Sequence, residues 1–195
     1  SFLINHCDTN NDGVLDVDIK SMTIPTGYAI KSLKGIQHFE ALEKLDCHGI
    51  GLTTLNVSMN FKLKELDCSG NQLKEYLPIL SSGLKKLNCS NNKLTHMNLG
   101  IRSGLNLEEV ECSNNEIRNI VMDSVGELVK FDCSNNDLMT LDVSQCFKLK
   151  ELNCSGNQLM ELDVSSQTQL TQLDCSKNKL TELNVKQNGN LTLLA

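Results

Sequence analysis

A curved, right-handed solenoid of stacked and mostly parallel β coils is the fold class this sequence predicts. Three observations carry that prediction. Seven of the nine cysteines recur at near-constant spacing: Cys47, Cys68, Cys89, Cys112, Cys133, Cys154 and Cys175. Five of the six steps are 21 residues, and the step from Cys89 to Cys112 is 23. Each cysteine also sits in the same phrase, such as Leu63-x-x-Leu66-x-Cys68-x-x-Asn71-x-Leu73. After each phrase only about ten residues remain, too few for a well-formed helix and two turns. A fixed period of this size marks a stack in which each repeat buries its apolar face against its neighbours.

Within the phrase, counted from its first leucine, position 1 is Leu42, Leu63, Leu84, Leu107, Leu128, Leu149, Leu170 and Leu191. Position 4 is Leu45, Leu66, Leu87, Val110, Phe131, Leu152, Leu173 and Leu194, and position 6 is the cysteine. Apolar residues at positions 4 and 6 give a period of two, which predicts a short strand with that face inward. The chain must then turn. Position 9 is Asn71, Asn92, Asn115, Asn136, Asn157 and Asn178, whose amides can bond backbone groups that a turn strips of ladder partners. Stacked turns predict an asparagine ladder inside the coil. Ile50 stands there in the first coil, where half that stack is missing. A second apolar triplet follows, as in Leu52-Leu55-Val57 and Leu159-Leu162-Val164, and predicts extended or 3₁₀ structure with little helix on the convex side. Tyr76, Pro78 and Ile79 break that triplet in one coil, and two extra residues near Gly100–Leu105 disturb the next.

Parallel strands lie about 4.8 Å apart, so equivalent cysteines hold their Cβ atoms near that spacing, beyond the ~3.8 Å usual in a disulfide. The seven therefore read as buried free thiols acting as small hydrophobes. Cys7 and Cys146 lie outside the ladder, and Cys146, placed in an inter-repeat turn, reads as the most exposed thiol. Phe61 and Phe147 share one register just before position 1 and read as core.

The outward strand positions are 3 and 5. Position 3 is Lys44, Glu65, Lys86, Glu109, Lys130, Glu151 and Gln172, alternating in sign so that neighbours pair across strands. Position 5 is Asp46, Asp67, Asn88, Glu111, Asp132, Asn153 and Asp174, a mildly acidic stripe. Position 7 is His48, then serine throughout. Positions 3 and 5 form the candidate binding face. They hold none of the Tyr, Trp or Arg anchors common at interface hot spots, so a solvated face shaped for stacking is the rival reading.

The phrase Leu149–Ser165 carries, nearly intact, the pattern Leu-x-x-Leu-x-Cys-Ser-x-Asn-x-Leu-Thr-x-Leu-Asp-Val-Ser. It resembles the bacterial leucine-rich repeats of the internalin type, in their cysteine-ladder variant, over residues 42–194. The resemblance implies a leucine-rich repeat solenoid in a secreted or cell-surface bacterial protein that engages a protein or glycan. Residues 42–195 then form seven full coils and the start of an eighth. Residues 1–41 form an amino-terminal cap over the first coil's apolar end. A chain opening on Ser1-Phe-Leu-Ile reads as processed or cloned, with any export signal already removed. The last strand, at Leu191–Ala195, reads as an open edge able to pair with a second chain.

The cap contains Asp8-Thr-Asn10-Asn-Asp12-Gly13-Val14-Leu15-Asp16, similar to the front of an EF-hand or dockerin loop. That resemblance implies structural Ca²⁺ on oxygens of Asp8, Asn10 and Asp12, the Val14 carbonyl and Asp16. Ile19 stands where the loop's twelfth residue should be a bidentate acid, and Asp18 lies one residue early. The rival is a metal-free Asn-Gly turn of the same shape.

Net charge is −6 with both signs interspersed, so no basic stripe suggests nucleic acid. No apolar run approaches a membrane span. None of His6, His38, His48 and His96 has a cysteine or acid at metal-ligand spacing. No phosphate loop, Cys-x-x-Cys or nucleophile elbow is present. The sequence thus points to a non-enzymatic binding scaffold, with a structural spacer carrying another domain as the alternative.

Overall fold

The computed structural model describes residues 16–75, 81–99, 106–123 and 125–195. Cys7, the loop from Asp8 to Val14, Tyr76, Pro78, Ile79, Gly100–Leu105 and Arg102 lie outside these. The described chain is a parallel-strand solenoid whose coils follow the cysteine period. One short strand per coil, three residues long except for the two-residue last one, builds a nine-stranded parallel sheet. Its strands are β1 (Ser21–Thr23), β2 (Lys44–Asp46), β3 (Glu65–Asp67), β4 (Lys86–Asn88), β6 (Glu109–Glu111), β8 (Lys130–Asp132), β9 (Glu151–Asn153), β10 (Gln172–Asp174) and β11 (Leu193–Leu194). Two further strands, β5 (His96–Asn98) and β7 (Asn119–Val121), pair on the second apolar triplet. The one helical element among the described residues is a 3₁₀ turn at Ile36–His38.

Register is in phase from coil to coil. Leu45 lies beside Leu66, Leu66 beside Leu87, and Val110 beside Phe131. β1 adds a rung ahead of residue 42: Met22 pairs with Leu45, and Ile24 N–H bonds the Asp46 carbonyl as Cys47 N–H bonds that of Asp67. Ile24 therefore takes the thiol's place in the first rung.

The core is one continuous column of position 1, 4, 6 and 11 side chains plus the second triplet. The described cysteines are free and buried. Three ladder thiols, of Cys47, Cys68 and Cys175, donate to a carbonyl of the following coil at 3.4, 3.5 and 3.6 Å. Cys146 is buried too, against the expectation of exposure, and burial pushes its thiol up to about 12. Phe61 and Phe147, expected in the core, are each 52% exposed. Both differences have one cause. Consecutive tight turns run from Val57 through Asn60 to Leu63, and from Val143 through Cys146 to Leu149. Every third residue is turned inward, and the residue after Asn60 or Cys146 is left outside.

The asparagines form the ladder the spacing predicts. Asn136 Nδ2 donates to the carbonyls of Cys112 and Cys133, each at 3.0 Å, while its Oδ1 accepts Ile117 N–H at 3.0 Å. Asn71, Asn92, Asn115, Asn157 and Asn178 repeat this set. Each amide ties two coils together. The residue before each asparagine is left-handed: Gly70, Asn91, Asn114, Asn135, Gly156 and Lys177 all have φ between 53° and 66°. Lys177 is the sole side chain among them beyond Gly and Asn, and that conformation costs an ordinary residue about 1–2 kcal/mol.

Candidate binding face

Because only the middle residue of each strand points inward, positions 3 and 5 of every coil line the other face of the sheet. Their side chains are half-buried or exposed. Across β1 to β6 this face encloses a groove of about 380 Å³, lined by Lys44, Asp46, Glu65, Asp67, Lys86 and Glu109 among others.

The alternating charges pair as expected at two places, Lys44 with Glu65 and Lys86 with Glu109, both at 2.8 Å. Lys130 departs from the row. Its amine bonds Glu111, one position over, at 2.7 Å, and that hydrogen bond raises the lysine pKa. A parallel row at position 2 adds Lys64 with Glu43 at 2.6 Å and Lys85 with Glu108 at 2.7 Å. Hydrogen bonds to those lysines hold Glu43 and Glu108 below the usual carboxylate range. These pairs are exposed, so they set register more than they add stability.

Position 5 has a second task. Asp67 Oδ1 accepts Ser69 N–H at 2.9 Å and the Ser69 hydroxyl at 2.7 Å. Asp46, Asn88, Asp132, Asn153 and Asp174 bond the backbone two residues on in the same way. The stripe read as a binding surface is thus also a row of turn caps. Asp142 and Asp163 cap Ser144 and Ser165 on the second triplet, and those hydrogen bonds lower both carboxyl pKa values. They line a second groove of about 810 Å³ with Glu161 and Glu182.

Two features escaped sequence reasoning. Asn60, Ser81, Gln167 and Asn188 form a second buried polar column, donating to carbonyls of the preceding coil. Val125 and Cys146 share that column. Its signal was the 21-residue step itself, hidden because the residue type changes from coil to coil, with asparagine only at Asn60 and Asn188. The other is the surroundings of His48. Its Nδ1 lies 2.6 Å from Asp46 Oδ1, beside Asp67 of the next strand, so it does have acids at ligand distance. Of the expected calcium residues, Asp16 and Asp18 are described, half-buried and exposed around a turn at Val17–Asp18; the others are not.

The Leucine Rich Repeat model matches residues 62–82. YopM of Yersinia pestis, a leucine-rich effector protein, superposes with a TM-score of 0.76 at 24% identity, over 90% of this chain and 48% of that one. This is a leucine-rich repeat fold. Internalin C2 of Listeria monocytogenes gives a TM-score of 0.70 at 19% identity, over 92% of this chain and 82% of that one. The functional domain of InlJ from the same organism, which includes a cysteine ladder, gives 0.49 at 28% identity, over 91% and 48%. No curated protein sequence matches. The chain spans about half the length of the Listeria InlJ, Leptospira and Yersinia chains it resembles. Leucine-rich repeats generally serve as protein-binding scaffolds, presenting one extended surface. Among the described residues no helix is long and apolar enough to cross a membrane.

Proposed function

We propose that this protein is a non-enzymatic scaffold of the bacterial cell surface or exterior that binds a protein or glycan partner across the outward face of its nine-stranded sheet. The observation carrying this reading is the groove over β1 to β6. It is rimmed by lysines and glutamates held in pairs, so it offers a pre-ordered pattern of both charges. Complementary charge at an interface steers encounter and suppresses wrong partners. Capping duty restrains position 5, which leaves position 3 as the main variable contact row.

The test is a contiguous set of charge reversals, Lys44→Glu, Glu65→Lys, Lys86→Glu and Glu109→Lys, against controls at Glu161 and Glu182 on the other groove. Quantitative binding to purified surface proteins and glycans should fall only for the first set, and should weaken with salt. A partner lost only through the Glu161 groove moves the interface there. A saturable partner unaffected by either set moves the interface off both grooves, and the absence of any saturable partner leaves the spacer reading. Structural Ca²⁺ in the cap, on Asp8, Asn10, Asp12, Val14 and Asp16 with Asp18 nearby, belongs to the same proposal. Melting that is insensitive to calcium and chelator would remove it.

A further inference from the structure

We infer that His48, Asp46 and Asp67 form a binding site for a divalent first-row transition metal such as Zn²⁺ at the first two coils of the sheet. One ligand atom from each lies within 4.8 Å of the others. Among the described residues no other trio of His, Cys, Asp or Glu does this.

The stack explains why the site arises here. Parallel pairing sets Asp46 directly beside Asp67 in register. Two carboxylates abreast on neighbouring strands repel. The other like-charged neighbours in that row, Glu111 and Asp132, are relieved by Lys130, whose amine sits on Glu111. The group placed on Asp46 is His48.

Chemistry separates this coil from the rest. In the coils with Asp67, Asn153 and Asp174 the position 7 side chain is a serine hydroxyl donating to the position 5 oxygen at 2.6–2.8 Å. His48 replaces that hydroxyl with an imidazole, and its Nδ1 lies 2.6 Å from Asp46 Oδ1. A neutral imidazole is a metal donor, which serine at neutral pH is not. One nitrogen and two carboxylate oxygens suit Zn²⁺, at bond lengths that place tetrahedral donors roughly 3.4 Å apart. The three donors, within 4.8 Å of one another, would draw together to that spacing on binding. Three protein ligands leave at least one coordination position for water or an incoming donor, beside the groove that Asp46 and Asp67 line.

The test is isothermal titration of Zn²⁺ into the chelator-stripped full chain, with H48S and D67N alongside. H48S installs the residue that six other coils carry in this column, so it preserves the fold, and melting without metal verifies this. Wild-type protein should bind Zn²⁺ with His48 imidazole resonances shifting in step. Affinity should drop at least about tenfold in H48S and in D67N, since even outer-sphere substitutions cost that much. Zn²⁺ bound equally by wild type and H48S places the metal elsewhere, for instance on His6 and Cys7, and overturns the inference. No binding at millimolar metal overturns it as well.

Discussion

Replacing Asn136 by alanine removes one rung from the middle of the asparagine ladder, and the structure sets the cost. Asn136 is 7% exposed, so water does not readily take over its bonds. Truncation strips Ile117 N–H of its partner at 3.0 Å, inside a residue with no exposed surface. It also removes donors to the carbonyls of Cys112 and Cys133. One orphaned buried N–H costs about 1–3 kcal/mol, and each of the two neutral hydrogen bonds lost adds about 0.5–1.5, so N136A should cost about 2–6 kcal/mol. N178A makes the same set of bonds at a half-exposed site and should cost about 1–2 kcal/mol, because water can replace them. Urea unfolding followed by circular dichroism measures both through the midpoint, with the slope m reporting whether the coils still unfold as a unit. A loss below 1 kcal/mol for N136A at unchanged m, or an equal loss at both sites, would refute the bridging role given to these amides.

The remaining expectations concern the turns, the thiols and the histidine. Gly156→Ala should lose about 2 kcal/mol in urea, because φ is 66° there and a new Cβ would lie 2.5 Å from Asn135 Oδ1. Lys177→Gly, at φ 54°, should instead gain about 0.5–1 kcal/mol, the relief of strain less glycine's entropy cost. The native protein should resist a thiol reagent at all eight described cysteines, Cys146 included, and react only on unfolding. Burial pushes Cys146 and Cys154 up to about 12, so labelling should stay slow between pH 7 and 9, and rapid native modification of Cys146 contradicts the placement. His48 should titrate above the ordinary histidine value by NMR, and D46N should bring it down. Its folded pKa is raised, so its small contribution to stability is present below the unfolded value, about 6.5, and fades as pH rises through the folded one.

How much was legible follows from how a stack repeats. Leu66, Cys68, Asn71 and their equivalents each face a copy of themselves one coil away. The same selection acts on every rung, and the same letter recurs. That uniformity made the strands, the thiol column and the amide ladder readable from spacing. The second buried column was not readable because Asn60, Ser81, Val125, Cys146 and Gln167 solve one geometric demand with five chemistries. The position is inward by virtue of two consecutive turns, and turn geometry left no letter to count. Phe61 and Phe147 misled for the converse reason. They share a register and are apolar, yet the turn directs Asn60 and Cys146 inward in their place. The first strand, Ser21–Thr23, was invisible because it borrows only the sheet's hydrogen bonds, with Ile24 in place of the thiol.

The same logic locates function within the face. Where a column is uniform, stacking alone accounts for the residue, as with the serines at position 7 and the Asp or Asn caps at position 5. Those side chains would stand there whether or not anything bound. Information about a ligand can reside only where a column departs from its rule without a structural debt that explains the departure. Glu111 departs from the Asp/Asn rule, and its carboxylate reaches Lys130 across the strand gap, so packing accounts for it. His48 departs from serine beside two abutting carboxylates, where the plain hydroxyl of the other coils would have served the turn equally well. Position 3 alternates in sign, and cross-strand pairing accounts for Lys44 with Glu65 and Lys86 with Glu109, yet those exposed pairs still present both charges to a partner. A partner should therefore be read first from position 3 and from the coil bearing His48, and least from the position 5 caps of the later coils.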